Sequence, residues 1–418
     1  LVYRFIFTEM IGAIFIEAKS IRAVLIGELN PKPFRVYWNV PTMQCKSKKI
    51  LFSNLFDDFG ILQNTGDTFR GEKVSILYDP GLFPALLKNE SSGELRYRNG
   101  GVPQEGDLVK HLEIFTSEME QSIPSKDFDG VGIIDFESWR PVYRQNFGVL
   151  TPYKDYSVEI EKRRHWWWKK TWITAEAKRR FEESGRAFMQ TTLARAKQLR
   201  PRAKWGYYAF PYCFNMASNH MKESCADNVP EENDSIDWLW SESTALYPSI
   251  YSSEALTPAQ LAALIRRRVA EAARLRKSDA PILPYFWYRD QDLTTLYKSE
   301  ASGFVIWGSS KDVNTKEKCQ NLYNYVNKVL GPAIAKYTKP QIIYNSEYYN
   351  DNNLTIVPSE IPESITTETT KVYEDTIKAI EINVNKDNTE GHTKELKNAT
   401  DVIESTSLIP VATQVNKF

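Results

Sequence analysis

The 418-residue chain has no excess charge of either sign, since 53 Lys and Arg residues balance 53 Asp and Glu residues. It also has no run of eighteen apolar residues. The first absence argues against a strongly basic nucleic-acid-binding protein, and the second argues against a segment that spans a membrane. With 42% hydrophobic and 25% charged residues, the composition is that of a globular protein.

Cysteine and histidine are scarce, with four of each, and no two cysteines form a C-x-x-C motif. No metal site and no cofactor are therefore expected. Four cysteines allow three pairings, and the spacing suits a local disulfide between Cys213 and Cys225, with Cys45 and Cys319 tying the start of a domain to its end. The even cysteine count and four N-x-S/T sequons favour a secreted protein; the sequons are at Asn89, Asn233, Asn353 and Asn398.

The two ends of the chain differ in composition from the rest. The apolar stretch Met10–Ile16 is at the lower length limit for a signal peptide and is flanked by glutamates. Residues 1–33 are therefore interpreted as an atypical leader or an amphipathic extension. Residues 339–418 contain one Gly, no Trp and no Cys, but much Thr, Glu, Asn and Lys, which predicts a disordered tail. The main domain is predicted between them, over residues 34–338.

Seven short apolar runs recur in this domain, with helical patterns between several of them. The runs rarely alternate with polar residues, which is typical of strands in a covered parallel sheet. Helical patterns span residues 107–122, 174–199 and 257–276, and Asn314 is expected to cap a last helix that ends at Gly331. This alternation predicts an α/β fold, and the length fits one barrel. The predicted strands are 34–40, 73–78, 131–136, 204–210, 245–251, 282–288 and 303–308.

Two carboxylates follow the third predicted strand: in the segment DFESWRP, Asp135 and Glu137 are two residues apart. In an extended strand such residues face the same side, so both should point into the mouth where barrel enzymes keep catalytic groups. Neighbouring carboxylates cannot both ionise freely, which leaves a protonated acid beside an anion, as glycoside cleavage requires. The spacing alone fits a structural role equally well, in which the two groups cap a loop or pair with Arg140.

Aromatic residues cluster where other predicted strands end. The chain has 11 Trp, 22 Tyr and 20 Phe residues. Each such ring is more often part of a core than of a site, but a set beside two carboxylates is typical of a pocket that stacks on sugar rings. The segments are WGYYAFPYC (205–213), YPSIY (247–251), YFWY (285–288) and WGSS (307–310).

Together these segments resemble the hyaluronidase family of bee and wasp venoms and mammalian sperm, and above all its insect members. The combination of DFESWRP, WGYY and IWGSS is specific to that family. The matching segments are YWNVPT (37–42), ILYDPGLFPAL (76–86), NGGVPQ (99–104), GVGIIDFESWRP (130–141), EAKRRFE (176–182), WGYYAFPYC (205–213), LPYFWY (283–288) and GFVIWGSS (303–310).

The resemblance implies a secreted enzyme with a distorted TIM-like (β/α)7 barrel. Its substrate would be hyaluronan, cut at the β-1,4 bond after N-acetylglucosamine, with chondroitin as a poorer substrate. Glu137 would be the general acid, and Asp135 would orient the substrate's acetamido group, whose oxygen attacks the anomeric carbon with net retention. The substrate-binding positions implied are Tyr208, Tyr251 and Trp307 around the acetamido group and Tyr78, Asp79, Arg140 and Ser310 along the groove. The disulfides implied are Cys45–Cys319 and Cys213–Cys225.

Two features depart from the family pattern. Residues 289–302, between the sixth and seventh predicted strands, number only fourteen, close to the minimum for a parallel crossover. The run HWWWKK (165–170) is either a surface patch or a packing cluster. The short crossover leaves a catalytically silent, hyaluronan-binding relative as an alternative. A chitinase-like hydrolase is a weaker one, because DG…D-x-E is similar to that signature but nothing else along the chain agrees.

Overall fold

The computed structural model describes residues 33–88, 94–251, 256–288 and 292–339. The predicted leader up to residue 32 and the predicted tail from residue 340 lie outside the described residues. The sequons at Asn89, Asn353 and Asn398 lie outside them as well.

Parallel strands arranged as a barrel carry the fold. The strands are β1 (Arg35–Asn39), β2 (Ile61–Leu62), β3 (Val74–Tyr78), β4 (Ala85–Lys88), β5 (Leu95–Arg98), β6 (Val131–Asp135), β7 (Lys204–Tyr207), β8 (Tyr285–Trp287) and β9 (Gly303–Trp307). One sheet has the order β3-β6-β7 and another the order β2-β1-β9-β8, while β4 and β5 form an antiparallel hairpin. All pairs within the two larger sheets are parallel.

The predicted fifth strand, residues 245–251, joins the two larger sheets through isolated bridges and not through a regular ladder. Pro248 interrupts the ladder because it has no backbone N–H to donate. On either side of it, the N–H of Leu246 donates to Pro281 O and that of Ile250 donates to Tyr285 O, both at 3.0 Å. The segment therefore closes the wall, and the other six predicted strands are confirmed.

The barrel is distorted between β2 and β3, where no ladder joins the described strands. The side chain of Asn64 bonds the edge of β3 instead. Its Oδ1 accepts the N–H groups of Lys73 and Val74 at 2.9 and 3.0 Å, and its Nδ2 donates to Val74 O at 2.9 Å. An α/β barrel of the distorted kind that the resemblance implied is thus confirmed.

Helices surround the barrel. They are α1 (Leu55–Phe59), α2 (Leu108–Ser122), α3 (Thr151–Arg164), α4 (Lys170–Leu199), α5 (Val229–Ser235), α6 (Asp237–Glu242), α7 (Pro258–Leu275), α8 (Leu293–Lys298), α9 (Lys316–Tyr325) and α10 (Gly331–Thr338). Short 3-10 helices lie at Thr42–Lys48, Thr65–Asp67, Pro103–Glu105, Tyr143–Gln145, Gly148–Leu150 and Ser310–Asp312. Helix α7 begins with a capping box formed by Thr257 and Gln260. Among the described residues, no helix is long and apolar enough to cross a membrane.

The expected bounds of the last helix are wrong at both ends. Thr315, not Asn314, caps α9 by accepting the N–H of Lys318 at 3.2 Å. The chain also continues past Gly331, through a π-helical turn at Val326–Leu330, into α10. Pro332 does not stop it, because the first turn of a new helical segment needs no N–H at that position.

The short connection between β8 and β9 is sufficient for a parallel crossover. Its helix α8 has six residues and is capped by Asp292, which accepts the N–H of Thr295 at 2.9 Å. Strands β8 and β9 still pair in parallel, with Tyr285 opposite Val305. The shortening therefore leaves the barrel wall intact at this point.

Both disulfides are present. Cys45 is joined to Cys319 and Cys213 to Cys225, with S–S distances of 2.01 and 2.08 Å. The first links the turn after β1 to α9 across 274 residues, so it closes nearly the whole barrel domain into one loop.

Candidate active site

The catalytic candidates lie at the carboxyl end of β6. Along this strand Val131 and Ile133 pack into the barrel interior, whereas Ile134 and Phe136 pack outward beneath the helices. Asp135 continues the inward row. The carboxyl groups of Glu137 and Asp135 are close enough to shift each other's pKa, so the structure brings the two groups together at the mouth of the barrel.

Burial favours the protonated forms of the two carboxyl groups. Burial raises the pKa of Asp135 well above its ordinary value, and the negative charges of Glu137 and Asp79 raise it further. Burial also raises the pKa of Glu137, against the opposing effects of the nearby Arg140 charge and the hydrogen bond to Asp135. Glu137 is exposed at the mouth, while Asp135 is half-buried. The pair can therefore present an acid to a molecule in the cleft while keeping a partner anion.

An aromatic wall stands beside the pair. Nε1 of Trp307 donates to the hydroxyl of Tyr78 at 2.8 Å. The ring of Trp307 lies 6.2 Å from that of Tyr251, which lies 6.3 Å from that of Tyr208. Tyr208 in turn packs edge-on against Tyr285 at 5.1 Å. Tyr78, Tyr208, Tyr251 and Trp307 come from the ends of different strands, so only the closed barrel assembles them into one surface, which the buried Tyr285 supports from below.

The tyrosines of this wall remain protonated. Burial raises the pKa of Tyr208 well above its ordinary value, and the charges of Glu137 and Asp135 add to the effect. Burial and the same two carboxylates also raise the pKa of Tyr78, against the hydrogen bond from Trp307. Neutral phenol groups within the field of the carboxylates are suited to donate hydrogen bonds to a sugar or its amide.

Arg140 is held beside the pair by rings and a carbonyl. Its guanidinium carbon lies 4.6 Å from the ring centre of Tyr212 and 5.2 Å from those of Phe147 and Phe214. Its Nη1 donates to Gln145 O at 2.7 Å. Among the described residues, Arg140 forms no ion pair with Asp135 or Glu137. The alternative in which the two carboxylates serve only to pair with Arg140 is therefore not supported.

Asp79 is engaged by a cation that the sequence did not single out. Nη2 of Arg98, on the β4–β5 hairpin, donates to Oδ1 of Asp79 at 2.8 Å, and Nη1 bonds the other oxygen. The N–H of Asp79 donates to Asp135 O at 2.7 Å. Arg98 therefore braces the loop next to the pair. The family-matching segment NGGVPQ (99–104), which follows Arg98 directly, was the sequence feature that could have drawn attention to this residue.

The other expected positions divide between cleft and core. Ser310 is exposed at the start of the 3-10 helix that follows β9. Trp205 is buried and donates from Nε1 to Arg200 O at 3.1 Å. Tyr247 is also buried, with its hydroxyl donating to Lys204 O at 2.5 Å. Strand alternation turns these last two rings into the core, away from the mouth.

The expectation of a glycan at Asn233 is wrong for this fold. The residue is 1% exposed. Its Nδ2, the atom that a glycan would occupy, donates to Tyr212 O and to Oε1 of Glu271, both at 2.9 Å. In the part of the chain that the structure describes, no cluster of His, Cys, Asp or Glu is arranged to hold a metal ion.

Comparisons with known proteins identify the family. A family model described as hyaluronidase matches residues 27–347. The chain belongs to the hyaluronidase family. A hyaluronidase of Apis mellifera is 46% identical over an alignment of 353 residues, which covers 78% of this chain and 92% of that protein. Hyaluronidase A of Vespula vulgaris is 41% identical over an alignment of 330 residues, which covers 75% of this chain and 99% of that protein. The resemblance inferred from the motifs is confirmed.

Solved hyaluronidase structures agree with the barrel described above. The crystal structure of bee venom hyaluronidase in complex with a hyaluronic acid tetramer aligns with a TM-score of 0.70 at 46% identity. The alignment covers 73% of this chain and 99% of that chain. A protein named inactive hyaluronidase B, from Vespula vulgaris, is 38% identical over an alignment of 327 residues, which covers 74% of this chain and 95% of that protein.

Proposed function

We propose that this hyaluronidase-family protein is an endo-acting glycoside hydrolase that cleaves the β-1,4 N-acetylhexosaminide bonds of hyaluronan. The observation that carries the proposal is the adjacent Asp135–Glu137 pair beside an aromatic wall. Chondroitin, a similar polyanion, is the proposed poorer substrate. The relative crystallised with a hyaluronic acid tetramer supports this substrate class.

Glu137 is the proposed general acid because it is the more exposed member of the pair and therefore the one that a sugar in the cleft can reach. Burial raises the pKa of both carboxyl groups, that of Asp135 more strongly, so exposure and not the pKa decides the assignment. It gives its proton to the glycosidic oxygen as the acetamido oxygen of the substrate attacks the anomeric carbon and the bond to the leaving sugar breaks. Water then adds to the anomeric carbon of the oxazolinium intermediate and returns a proton to Glu137. Two inversions at that carbon give net retention.

Asp135 is proposed to orient the acetamido group and to stabilise the charge that develops on it. Enzymes with two independent carboxyl groups hold them about 5 Å apart for retention or about 6.5–9.5 Å apart for inversion. Here both groups come from the end of one strand and lie beside each other on one side of the cleft. That arrangement fits a reaction in which the substrate's own oxygen is the nucleophile.

The aromatic wall is proposed to hold the acetamido group through Tyr208, Tyr251 and Trp307. Tyr78 supports it by accepting the indole N–H of Trp307. Arg140, Asp79 and Ser310 are the proposed groove contacts. A polyanion can approach a protein of zero net charge if cations line its path, because steering depends on the local potential.

Secretion is proposed from the two disulfides, which persist in oxidising compartments. The mature protein would then meet its substrate outside the cell. An expression test in secretory cells, with thiol counting before and after denaturation, should find no free thiol, since all four cysteines are paired.

The deciding experiment is the loss of viscosity of a hyaluronan solution over several pH values. Glu137→Gln should slow it by about 10²–10⁴-fold, because general acid catalysis is lost. Glu113→Gln, which removes an exposed carboxylate on α2, is the matched control and should cut normally. Near-normal cleavage by Glu137→Gln would mean that the acid is misassigned. A wild-type protein that is retained on a hyaluronan column but leaves the viscosity unchanged would support the silent-relative alternative.

A further inference from the structure

The turn between α3 and α4 carries a surface that the proposed active site does not use. Residues 162–172, KRRHWWWKKTW, contain four Trp and five Lys or Arg and no acidic residue, in a chain of zero net charge. Trp166, Trp167 and Trp172 are 79%, 63% and 58% exposed. We call these three rings, together with Lys169 and Lys170, the tryptophan–lysine patch. Large exposed rings of this kind mark an interaction surface.

The rings of the patch are held in place by their neighbours. His165 stacks on Trp168 with 3.9 Å between ring centres, and Trp168 meets Trp172 edge-on at 6.5 Å. Trp166 and Trp167 also pack edge-on, at 5.7 Å. A preorganised aromatic surface loses little conformational entropy when a ligand stacks on it.

The cations at the patch itself are uncompensated. At its edge, Arg163 pairs with Glu159 at 3.2 Å and Arg164 pairs with Glu105 at 2.7 Å. By contrast, no carboxylate within the described residues pairs with Lys169 or Lys170, and the Lys169 ammonium lies 5.8 Å from the Trp172 ring centre. Stacking faces interleaved with free ammonium groups fit a flexible polymer that offers both apolar ring faces and carboxylates.

The patch lies on the same side of the barrel as the catalytic pair. Helix α4 leads into β7, so its first residues are on the side of the strands' carboxyl ends. Phe181 of α4 contacts Trp139, two residues after Glu137, with 5.8 Å between ring centres. Lys170 is eleven residues earlier on the helix, which places the patch about 16 Å beyond that contact along the helix axis. One long chain in the cleft can therefore also cross the patch.

We infer that the tryptophan–lysine patch is a second binding site for an anionic polysaccharide, taken by a distant part of the same polymer whose cleavage is proposed above. The inference rests on that proposed function. When one part of a polysaccharide is bound at the patch, the local concentration of its other sugar units at the cleft rises. The patch should therefore lower KM for long polysaccharides and leave KM for short ones unchanged. A lipid surface is the competing occupant, and the test below distinguishes it from the polymer.

The test compares high-molar-mass hyaluronan with its hexasaccharide as substrates. Trp166→Ala combined with Trp167→Ala should raise KM for the polymer about tenfold, leave its kcat unchanged, and leave both constants for the hexasaccharide unchanged. Lys169→Gln with Lys170→Gln should act in the same direction and lose its effect at high salt. The matched control is Phe56→Ala, which removes a ring of 58% exposure on α1 and should change nothing.

Three results would overturn the inference. One is an unchanged KM for the polymer in the tryptophan variant, and another is an equal change for the hexasaccharide, which would indicate a structural effect. The third is unchanged polymer kinetics together with lost binding to phosphatidylserine vesicles, which would assign the patch to a lipid surface. Failure of the proposed function looks different, since the wild-type protein would then cleave neither substrate.

Discussion

The buried imidazole of His111 should make this fold sensitive to acid. Its Nδ1 accepts the N–H of Leu82 at 2.9 Å, and its Nε2 lies 2.7 Å from Oγ1 of Thr192, whose hydroxyl donates to Phe188 O. This network requires a neutral ring with its proton on Nε2. Burial and the charge of Arg98 together lower the pKa of His111 to about 4, against the hydrogen bond from Leu82.

The sign and size of the effect follow from the two pKa values. In the unfolded chain His111 titrates near 6.5, whereas in the fold it titrates near 4. The contribution to stability is therefore complete above about pH 6.5 and is lost as the pH falls through 4. A difference of about 2.5 pKa units corresponds to about 3 kcal/mol, or about 5 °C in Tm for a domain of this size.

The assay is urea unfolding at pH 7 and pH 4. For His111→Asn, whose Oδ1 can replace Nδ1 as acceptor for Leu82, the stability difference between the two pH values should shrink by about 3 kcal/mol relative to the wild type. Phe115→Leu, a core variant one turn away that removes no titrating group, should lower stability equally at both pH values. An undiminished difference in the His111→Asn variant would refute the reasoning.

Three further predictions concern other parts of the molecule. Burial raises the pKa of Asp67 to about 6, so ionisation of this carboxyl group destabilises the fold as the pH rises through that value. Asp67→Asn should therefore add about 2 kcal/mol to the free energy of unfolding at pH 7.5 and little at pH 4. Replacing Cys45 and Cys319 together by Ser should cost about 5 kcal/mol in urea unfolding, because a loop of 274 residues is opened. Tyr78→Phe removes the acceptor for Trp307 and should lower kcat/KM about tenfold with unchanged circular dichroism.

Each of these has a contrary outcome. An Asp67→Asn gain that is equal at both pH values would show that ionisation is not the cause. A cysteine variant as stable as the wild type would mean that the unfolded chain is already compact without the bond. Unaltered kinetics for Tyr78→Phe would show that the hydrogen bond from Trp307 to Tyr78 does not keep the aromatic wall in position.

Local patterns predicted the barrel and the proximity of Asp135 and Glu137, whose catalytic roles stay a prediction. The strands are continuous apolar runs, and the position of Asp135 and Glu137 on one side depends only on strand geometry. The fifth strand was less predictable because Pro248 removes one donor from its ladder. The predicted end of the last helix at Gly331 was wrong. A π-helical turn connects α9 to a second helix that begins at Gly331.

Long-range contacts could not be predicted from the sequence. Arg98 reaches Asp79 only because the β4–β5 hairpin folds beside the barrel mouth. The side chain of Asn64 bonds the edge of β3 in place of a neighbouring strand, and no periodic pattern in the sequence predicts this contact. The sequon at Asn233 is a three-residue pattern, whereas the burial that excludes a glycan there is set by α5 and α7 packing around Glu271.

The stereochemistry of the newly released sugar end tests the central claim most directly. Hyaluronan is digested in D2O and the anomeric proton of the new reducing end is recorded by NMR before mutarotation equilibrates it. Attack by the acetamido oxygen followed by water predicts that the β-anomer appears first. First appearance of the α-anomer would contradict the account, because it would require direct attack by water and a second carboxylate across the sugar from Glu137.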